Sequence, residues 1–335
     1  MKALVIGCGA WGTALAKILA EKNEQVYIAC HSEKIINDIN KNNVNSTYGL
    51  TEPKLPKNIE AISFDKLADV VGDVSVILVA VASNYYRSVM KLIQPMIAEQ
   101  HIIVSATKGM EEGGLSMLDI DREIFTDEQI KNQLCLLSGP NLAKEIYEEK
   151  PAATVVAAYK EETAKIIQEM VSNEQFRAYI SQDLVGVMYG GILKNIIALA
   201  AGIIDAMNLG TNAKSALMVR GIAEMRRFCV YAGGKEETVS GLSGFGDLIT
   251  TCNGPKSRNY SVGFRLGNGE KIDDIISGMV DVAEGVKSSK VVHELAVKKN
   301  IPMPITTAIY KVIYEGCSIK ETIASLMTRE LKKED

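Results

Sequence analysis

The chain has 335 residues, 47% of them hydrophobic and 23% charged, which is ordinary for a globular protein and long enough for two separate cores. Its formal net charge of −4 argues against a general nucleic-acid-binding protein, because such proteins are usually basic. Six scattered cysteines without a Cys-x-x-Cys pair indicate reduced thiols, and three isolated histidines do not suggest a metal site.

The first predicted element is a strand, Ala3–Ile6, which runs through a glycine-rich turn into a helix over Thr13–Glu21. The N-terminus also resembles a secretory signal, but a signal would not carry three glycines at strand-to-helix spacing behind a single lysine. No uninterrupted apolar run reaches the roughly 18 residues that span a bilayer. We therefore predict no membrane span and expect the protein in the cytoplasm.

The turn at residues 7–12 reads Gly-Cys-Gly-Ala-Trp-Gly and fits G-x-G-x-x-G. Gly7 permits the tight turn, Gly9 lets the backbone approach a pyrophosphate, and Gly12 lets helix and strand pack closely. Because the motif lies directly between a strand and a helix, it predicts a dinucleotide site rather than a turn without a ligand. Trp11 is either core filler or lies with its backbone against the cofactor phosphates, and we favour the second interpretation.

The second predicted strand, Gln25–Ala29, ends in Cys-His-Ser-Glu-Lys at residues 30–34. An acid at the end of this strand would bind the ribose hydroxyls of NAD and repel the 2′-phosphate of NADP. The last position of this strand carries no acid. The side chains of His31, Ser32 and Lys34 could bind the 2′-phosphate, whereas the negative charge of Glu33 would repel it. The cofactor is thus NADP or NAD, and His31 could equally be a surface residue without a task.

The remaining strands of the first half alternate with helical segments, which is typical of a parallel sheet with crossover helices. The predicted helices include Ser83–Glu99 and Glu161–Val171. The further predicted strands are Val74–Val81, Ile102–Ala106, Leu134–Leu137, Ala153–Ala158 and Phe176–Ile180.

From Leu184 onwards we predict helices only, with breaks at residues 208–210, 233–234, 267–269 and 302–304. The predicted fold class is therefore an α/β N-terminal, Rossmann-like dinucleotide-binding domain, residues 1–181, followed by an all-α C-terminal domain, residues 182–335. The boundary falls at Ser181–Gln182.

Two segments that follow strands carry polar residues at the carboxyl edge of the sheet, where ligands of open α/β folds bind. Lys108 lies in the first of them, and residues 138–145, Ser-Gly-Pro-Asn-Leu-Ala-Lys-Glu, form the second. We predict that Lys108 projects into the same crevice as the cofactor.

An apolar helix at residues 189–202 carries Lys194-Asn195 in its middle. A buried ammonium is costly unless it meets a polar cleft or a partner, although a structural lysine can also extend its charge to solvent. We favour a lysine that faces the cleft between the domains, with a pKa lowered enough to move protons near neutral pH. Asp247 could orient it, cap a helix, or do both.

Residues 257–259, Ser-Arg-Asn, open another predicted helix shortly after Asp247. A hydroxyl, a guanidinium and an amide at a helix N-terminus, together with its free backbone N–H groups, form a pocket for a small anion. The chain therefore combines a dinucleotide site with a site for a phosphorylated small molecule, which indicates a metabolic enzyme.

With these motifs assembled, the chain resembles the bacterial NAD(P)-dependent glycerol-3-phosphate dehydrogenases over nearly its whole length. The motifs that carry the resemblance are Gly7-x-Gly9-x-Trp-Gly12-Thr-Ala-Leu-Ala, Thr107-Lys108-Gly109, Ser138-Gly139-Pro140, Leu193-Lys194-Asn195, Ala200-Ala201-Gly202, Gly244-x-Gly246-Asp247-Leu248, Thr251-Cys252, Ser257-Arg258-Asn259, Leu266-Gly267-x-Gly269 and Val282-Ala-Glu284-Gly285.

The resemblance implies reversible hydride transfer between NAD(P)H and dihydroxyacetone phosphate, giving sn-glycerol 3-phosphate for phospholipid synthesis, in a homodimer. It implies that Lys194 is the catalytic proton donor and acceptor. The implied substrate-binding residues are Lys108, Gly139, Asn141, Lys194, Asp247, Ser257, Arg258 and Asn259. The implied cofactor-binding residues are Ala10, Trp11, His31, Tyr48, Lys108, Ala143, Arg258, Val282 and Glu284, in addition to Gly7, Gly9 and Gly12.

Two positions depart from the family pattern. Asn141 stands where a serine or threonine often follows Gly-Pro, and the segment after Tyr48 lacks the usual leucine–proline.

Two other functions are compatible with parts of the sequence. A β-hydroxyacid dehydrogenase would need a carboxylate clamp in place of the segment 246–259. A non-catalytic dinucleotide sensor would need neither Lys194 nor Arg258.

Overall fold

The computed structural model describes residues 1–279, 283–331 and 333. The strands in this part of the chain are β1 (Lys2–Ile6), β2 (Gln25–Cys30), β3 (Ile59–Ser63), β4 (Val76–Val79), β5 (Ile102–Ser105), β6 (Leu134–Ser138), β7 (Ala152–Ala158) and β8 (Phe176–Ser181). The helices among and after them are α1 (Ala10–Ala20), α2 (Glu33–Asn42), α3 (Leu67–Val71), α4 (Ser83–Ile93), α5 (Met117–Ile124), α6 (Glu128–Lys131), α7 (Ala143–Tyr147), α8 (Glu161–Val171), α9 (Leu184–Ala206), α10 (Gly210–Tyr231), α11 (Glu236–Val239), α12 (Asp247–Cys252), α13 (Arg258–Gly267), α14 (Ile272–Ser277), α15 (Glu284–Lys298), α16 (Pro304–Tyr314) and α17 (Ile319–Met327).

All strands form one sheet in the order β3-β2-β1-β4-β5-β6-β7-β8. The pairs from β3 to β6 are parallel, so the turns after β1, β2, β4, β5 and β6 meet at one edge of the sheet. The prediction of an α/β unit followed by helices is confirmed, since the described residues after Ser181 contain no strand. Each of the four predicted helix breaks falls where one helix ends and the next begins.

The structure departs from the predicted sheet in two places. Strand β3 was missed because Ile-Glu-Ala-Ile-Ser has weak β propensity, and its pairing with β2 stabilises it at the edge of the sheet. Strand β7 runs antiparallel to β6, against the prediction of a wholly parallel sheet. The helix between them, α7, has five residues and rises only about 7.5 Å, too little to carry the chain back along a strand of seven residues.

Helix α9 is the central element of the C-terminal part. It is long and apolar enough to cross a membrane, with a mean hydropathy of 1.8, but 83% of that window is buried inside the protein. It is therefore the core helix around which the later helices pack.

Glycines allow α13 to pack backbone to backbone against α9. A Cβ on Gly263 would lie 1.9 Å from the carbonyl oxygen of Leu199, and one on Gly202 would lie 2.1 Å from that of Tyr260. Since real Cβ atoms do not approach so closely, no larger residue fits at either crossing. This contact fixes the start of α13 relative to the middle of α9, where Lys194 lies.

Candidate active site

The candidate site begins with a carboxylate that is shared by two lysines. Asp247, the first residue of α12, accepts a hydrogen bond from Lys194 Nζ at 2.9 Å on Oδ1 and one from Lys108 Nζ at 2.6 Å on Oδ2. Lys108 follows β5 and Lys194 lies in the middle of α9, so three distant segments meet at one group. The close approach of α9 to the sheet edge also depends on Gly191, where a Cβ would lie 2.8 Å from Ser138 Oγ.

The charges in this cluster do not cancel. The side chain of Asp247 is 3% exposed, that of Lys194 10% and that of Lys108 20%. While Lys194 is protonated, two ammonium groups and one carboxylate leave one net positive charge that water screens poorly. Such a place stabilises a negative charge that develops on a bound substrate.

Burial and neighbouring charges shift the pKa of both central groups. Burial lowers the pKa of Lys194 to about 8, Asp247 partly opposes this shift, and the charge of Lys108 adds to it. Burial alone would raise the pKa of Asp247, but the charges of Lys108 and Lys194 hold it below its usual value. Asp247 is therefore ionised at neutral pH, while Lys194 can both hold and release a proton there.

Thr251 is a partner of Lys194 to which the sequence interpretation gave no role. Its Oγ1 accepts a hydrogen bond from Lys194 Nζ at 2.7 Å and donates one to the backbone carbonyl of Asp247 at 2.6 Å. The four-residue spacing on α12 places both side chains on one helix face. In the described part of the chain Lys194 Nζ therefore uses two of its three N–H groups within the protein, which leaves one for a substrate.

The predicted anion pocket at the start of α13 lies beside this cluster. Asn259 Nδ2 donates to Asn195 Oδ1 at 2.9 Å, and Asn195 follows Lys194 directly. Asn259 Oδ1 accepts the backbone N–H of Gly285 at 2.8 Å. The amide of Asn259 thus holds α9, α13 and α15 together, a structural role that the sequence interpretation did not predict.

The other two residues of this pocket differ in exposure. Ser257 is buried and caps α13, with its Oγ accepting the backbone N–H of Tyr260 at 3.2 Å. Arg258, the first residue of α13, is exposed at the surface. The structure therefore places an exposed guanidinium directly after a buried serine that caps the helix.

The loop after β6 contributes backbone rather than side chains. The carbonyl oxygen of Gly139 accepts a hydrogen bond from Lys108 Nζ at 3.2 Å. Asn141 is turned towards β7, because its Nδ2 donates to the carbonyl of Ala153 at 3.0 Å and its Oδ1 accepts from Thr154 at 2.9 Å. Its predicted contact with a substrate stays a prediction, since both polar ends of the side chain bind the strand.

The glycine turn fits a bound pyrophosphate. Gly7 has a φ of +111°, in the region that favours glycine, and a Cβ on Gly12 would lie 1.8 Å from the carbonyl oxygen of Gly7. A Cβ on Gly9 would meet nothing within 4 Å, so the space in front of this residue is open to a ligand. Ala10 and Trp11 form the first turn of α1 behind it, are both half-buried, and no acid lies in that turn.

Further residues predicted to contact the cofactor lie at the same edge of the sheet. His31 is exposed after β2, and its ring stacks on Phe64, with 3.9 Å between ring centroids and 7° between planes. Half-buried Tyr48 lies in a short helical turn, residues 46–48, and Ala143 is the first residue of α7.

The last two residues predicted to contact the cofactor are Glu284 and Val282. The Glu284 carboxylate accepts the hydroxyl of Ser83 at 2.6 Å and its backbone N–H at 3.1 Å, and so ties the start of α15 to the start of α4. A cofactor contact by Glu284 stays a prediction. Val282 lies outside the described residues.

Comparisons with known proteins cover almost the whole chain. Residues 2–164 match the model described as "NAD-dependent glycerol-3-phosphate dehydrogenase N-terminus", and residues 183–324 match the C-terminal model of the same name. A protein named glycerol-3-phosphate dehydrogenase [NAD(P)+] from Bacillus mycoides (strain KBAB4) is 40% identical over 335 residues, covering 99% of this chain and 97% of its own. One of the same name from Bacillus cereus (strain B4264) is 39% identical with the same coverage.

Solved structures agree with this result. The crystal structure of glycerol-3-phosphate dehydrogenase from Coxiella burnetii has a TM-score of 0.89 at 31% identity, covering 98% of this chain and 99% of its own. A D-mandelate dehydrogenase structure has a TM-score of 0.61 at 11% identity, covering 98% and 100%, and shows likeness of fold alone.

Proposed function

Because this chain belongs to the family of NAD-dependent glycerol-3-phosphate dehydrogenases, we propose that Lys194 moves the proton in an NAD- or NADP-linked interconversion of dihydroxyacetone phosphate and sn-glycerol 3-phosphate. The enzyme is an oxidoreductase that uses one of these two cofactors. Its product would supply phospholipid synthesis. The observation that carries the assignment is the Asp247 carboxylate shared by Lys194 and Lys108 inside the cleft.

The proton transfer follows from the position and pKa of Lys194. The nicotinamide cofactor, when bound, supplies the hydride in reduction and accepts it in oxidation. In reduction the free N–H of Lys194 protonates the carbonyl oxygen of the substrate, and in oxidation the neutral amine removes the hydroxyl proton. A pKa of about 8 allows both directions near neutral pH.

Asp247, Thr251 and Lys108 would keep this amine in place. Asp247 and Thr251 occupy two of its donors and fix the direction of the third. Lys108 offsets the buried charge of Asp247 and, with one net positive charge left in the cluster, stabilises negative charge on the substrate oxygen. Gly139 orients Lys108 through its backbone carbonyl.

Substrate phosphate would bind at the start of α13. Arg258 would supply positive charge at the start of α13, and Ser257 and Asn259 hold the helix start whose backbone N–H groups would face the phosphate. Binding there, away from the reacting carbon, would orient the carbonyl towards Lys194. Asn141 would act through the loop that it anchors to β7.

The cofactor would lie along the carboxyl edge of the sheet. Gly7, Gly9 and Gly12 with the backbone of Ala10 and Trp11 fit its pyrophosphate, and His31 and Tyr48 flank the same edge further out. Lys108, Ala143, Arg258 and Glu284 would border the cofactor on the side of the C-terminal helices. We divide the chain accordingly into a cofactor domain, 1–181, and a substrate domain, 182–335, supported by the end of β8 at Ser181 and the start of α9 at Leu184.

A substrate comparison tests this function. Purified protein should oxidise NADH or NADPH with dihydroxyacetone phosphate, and should use unphosphorylated dihydroxyacetone poorly. Arg258→Ala should raise the KM for the phosphorylated substrate about 10- to 100-fold, the equivalent of one charge-assisted hydrogen bond. Arg265→Ala, on the same helix but paired with Glu270 at the surface, is the matched control and should change neither KM.

Other outcomes would overturn the proposal. Equal loss with both ketones in Arg258→Ala would remove the phosphate assignment. Activity with an unphosphorylated β-hydroxyacid instead would favour that class of dehydrogenase, and cofactor binding without any turnover would favour a sensor.

A homodimer in the cytoplasm is the expected state, tested by light scattering and cell fractionation.

A further inference from the structure

Two cysteines are neighbours at the predicted dinucleotide site, one in the glycine turn and the other at the end of the adjacent strand. Cys8 is the residue between Gly7 and Gly9, and Cys30 is the last residue of β2. Ile6 pairs with Ala29, and the N–H of Gly7 continues this pairing by donating to the carbonyl of Ala29 at 3.2 Å. Cys30 is therefore next to Gly7, and Cys8 is one residue further along the neighbouring strand.

This register suits a cross-link between the two residues. A neighbour across parallel strands and one step along lies about 6 Å away, from the usual strand spacing and rise. Disulfides join residues with Cα atoms about 4.4–6.8 Å apart.

The two thiols are in contact and differ in character. The Cys30 thiol lies 3.8 Å from the carbonyl oxygen of Ile28 and interacts with the sulfur of Cys8, which also interacts with the backbone N–H groups of Cys8 and His31. This contact with Cys30 is the main reason that the pKa of Cys8 is lowered, against the effect of burial. Contact with Cys8 and then burial raise the pKa of Cys30. Cys8 is half-buried, whereas Cys30 is 1% exposed. The lowered pKa of Cys8 favours its thiolate, the form that reacts with peroxides, and the raised pKa of Cys30 favours its thiol.

The other four cysteines lack this combination. Burial raises the pKa of Cys135, Cys229 and Cys252 to about 12, and all three are buried. Cys317 is partly exposed but lies in the segment between α16 and α17, and it contacts Glu315. It is a natural control for non-specific oxidation.

We propose that Cys8 and Cys30 form an oxidative modification site in which a hydroperoxide cross-links the dinucleotide-binding turn and weakens cofactor binding. The Cys8 thiolate attacks one oxygen of hydrogen peroxide, the O–O bond breaks, and Cys8 becomes a sulfenic acid while the departing hydroxide takes a proton from solvent and leaves as the first water. The Cys30 sulfur then attacks the Cys8 sulfur, the S–O bond breaks, and the second water leaves with the thiol proton. Two thiols lose two electrons in total, the peroxide gains them, and an added dithiol reverses the change.

The cross-link would act on the cofactor site through the backbone of Cys8. The carbonyl of Cys8 is held by Asn45 Nδ2 at 2.9 Å and lies 3.4 Å from Thr13 Oγ1, and Asn45 is fully buried. A disulfide holds the two Cβ atoms about 3.5–4.5 Å apart, so it would tie the backbone of Cys8 to β2 and restrict the adjustment of these contacts to a bound pyrophosphate. The loss of one charge-assisted hydrogen bond to a pyrophosphate corresponds to about a 10- to 100-fold loss of affinity. This consequence rests on the proposed cofactor site, whereas the cross-link does not.

Peroxide treatment of the purified protein tests the proposal. After mild hydrogen peroxide and blocking of free thiols, peptide mapping without reductant should find Cys8 joined to Cys30, and dithiothreitol should remove the link. Prior saturation with NADH or NADPH should slow the reaction, because a bound dinucleotide would cover Cys8. Fluorescence titration should show about a tenfold or greater rise in the cofactor Kd of the oxidised protein, restored by dithiothreitol.

Variants keep the test decisive even if one of them folds poorly. In Cys30→Ser the oxidised Cys8 should stop at sulfenic acid and react with dimedone, and in Cys8→Ala no cross-link should form. Cys317→Ser should behave as the unmodified sequence, with each variant compared to its own reduced form. Absence of the 8–30 link under conditions that oxidise Cys317 would overturn the proposal, and so would a link that leaves the cofactor Kd unchanged. Neither readout needs the ketone substrate, so a failure of the proposed function would be seen separately.

Discussion

Replacing Asp247 by asparagine removes the charge between the two lysines with almost no change in shape. Lys194 then loses the partner that opposes the effect of burial, and the repulsion from Lys108 is no longer balanced. A charge-assisted hydrogen bond is worth about 1.5–3 kcal/mol and one pKa unit corresponds to about 1.4 kcal/mol. The pKa of Lys194 should therefore fall by about one to two units below its present value of about 8.

The sign of this shift gives opposite results in the two directions of the reaction. Reduction needs the protonated amine, so its kcat is full below the pKa of Lys194 and is lost as pH rises through it. Oxidation needs the neutral amine, so its kcat rises with pH through the same value. In Asp247→Asn both limbs should move to lower pH, so reduction at pH 7.5 falls further from its own plateau while oxidation at that pH lies closer to its own.

Steady-state kcat measured from pH 5.5 to 10 in both directions is the assay, with circular dichroism to check folding. Asp205→Asn is the matched control, since Asp205 also pairs with a lysine, Lys214 at 2.5 Å, but not with Lys194. Its pH limbs should not move. If the limbs of Asp247→Asn stayed in place while kcat fell, Asp247 would not control the protonation of Lys194, and the reasoning would be refuted.

Two further predictions concern the turn and the partner of the amine. Gly9→Ala should keep its stability but raise the cofactor KM about tenfold or more, because the added Cβ enters the open space where the cofactor would bind. Gly12→Ala should instead lower the Tm, because its Cβ would lie 1.8 Å from the carbonyl oxygen of Gly7. Equal Tm values for the two variants would contradict this difference. Thr251→Val should lower kcat about tenfold, because it removes the hydroxyl that accepts a hydrogen bond from Lys194 at 2.7 Å. The cofactor KM should not change, because the glycine turn is untouched. A changed cofactor KM with a normal kcat would count against this prediction.

Local patterns predicted the parts of the fold that depend on local chemistry. The glycine spacing of the first turn requires a positive φ at residue 7 and a close helix–strand contact at residue 12, and both are present. The apolar strands β1, β4 and β5 were found because their buried runs are unambiguous. Strand β3 and the direction of β7 depend on which neighbour each strand meets, which periodicity does not encode.

The candidate site divides in the same way. Lys194 was predicted because a lysine within an apolar helix is unusual on its own, and Asp247 because it opens a helix near glycines. The contacts of Thr251, Ser83 and the Asn259 amide depend on how α4, α9, α12, α13 and α15 pack together. The crossing of α9 and α13 is fixed by backbone contacts at Gly202 and Gly263, which a sequence pattern shows only as small residues.

The most direct test of the account is chemical rescue of Lys194→Ala by small primary amines. A positioned general acid–base group is worth about 10²–10⁴ in rate, so kcat should fall by about that factor while cofactor Kd stays near its original value. Added methylamine or ethylamine should restore part of kcat, with the degree of rescue following the pKa of the amine. A kcat that is unchanged in Lys194→Ala would contradict the assignment of Lys194 as the group that moves the proton.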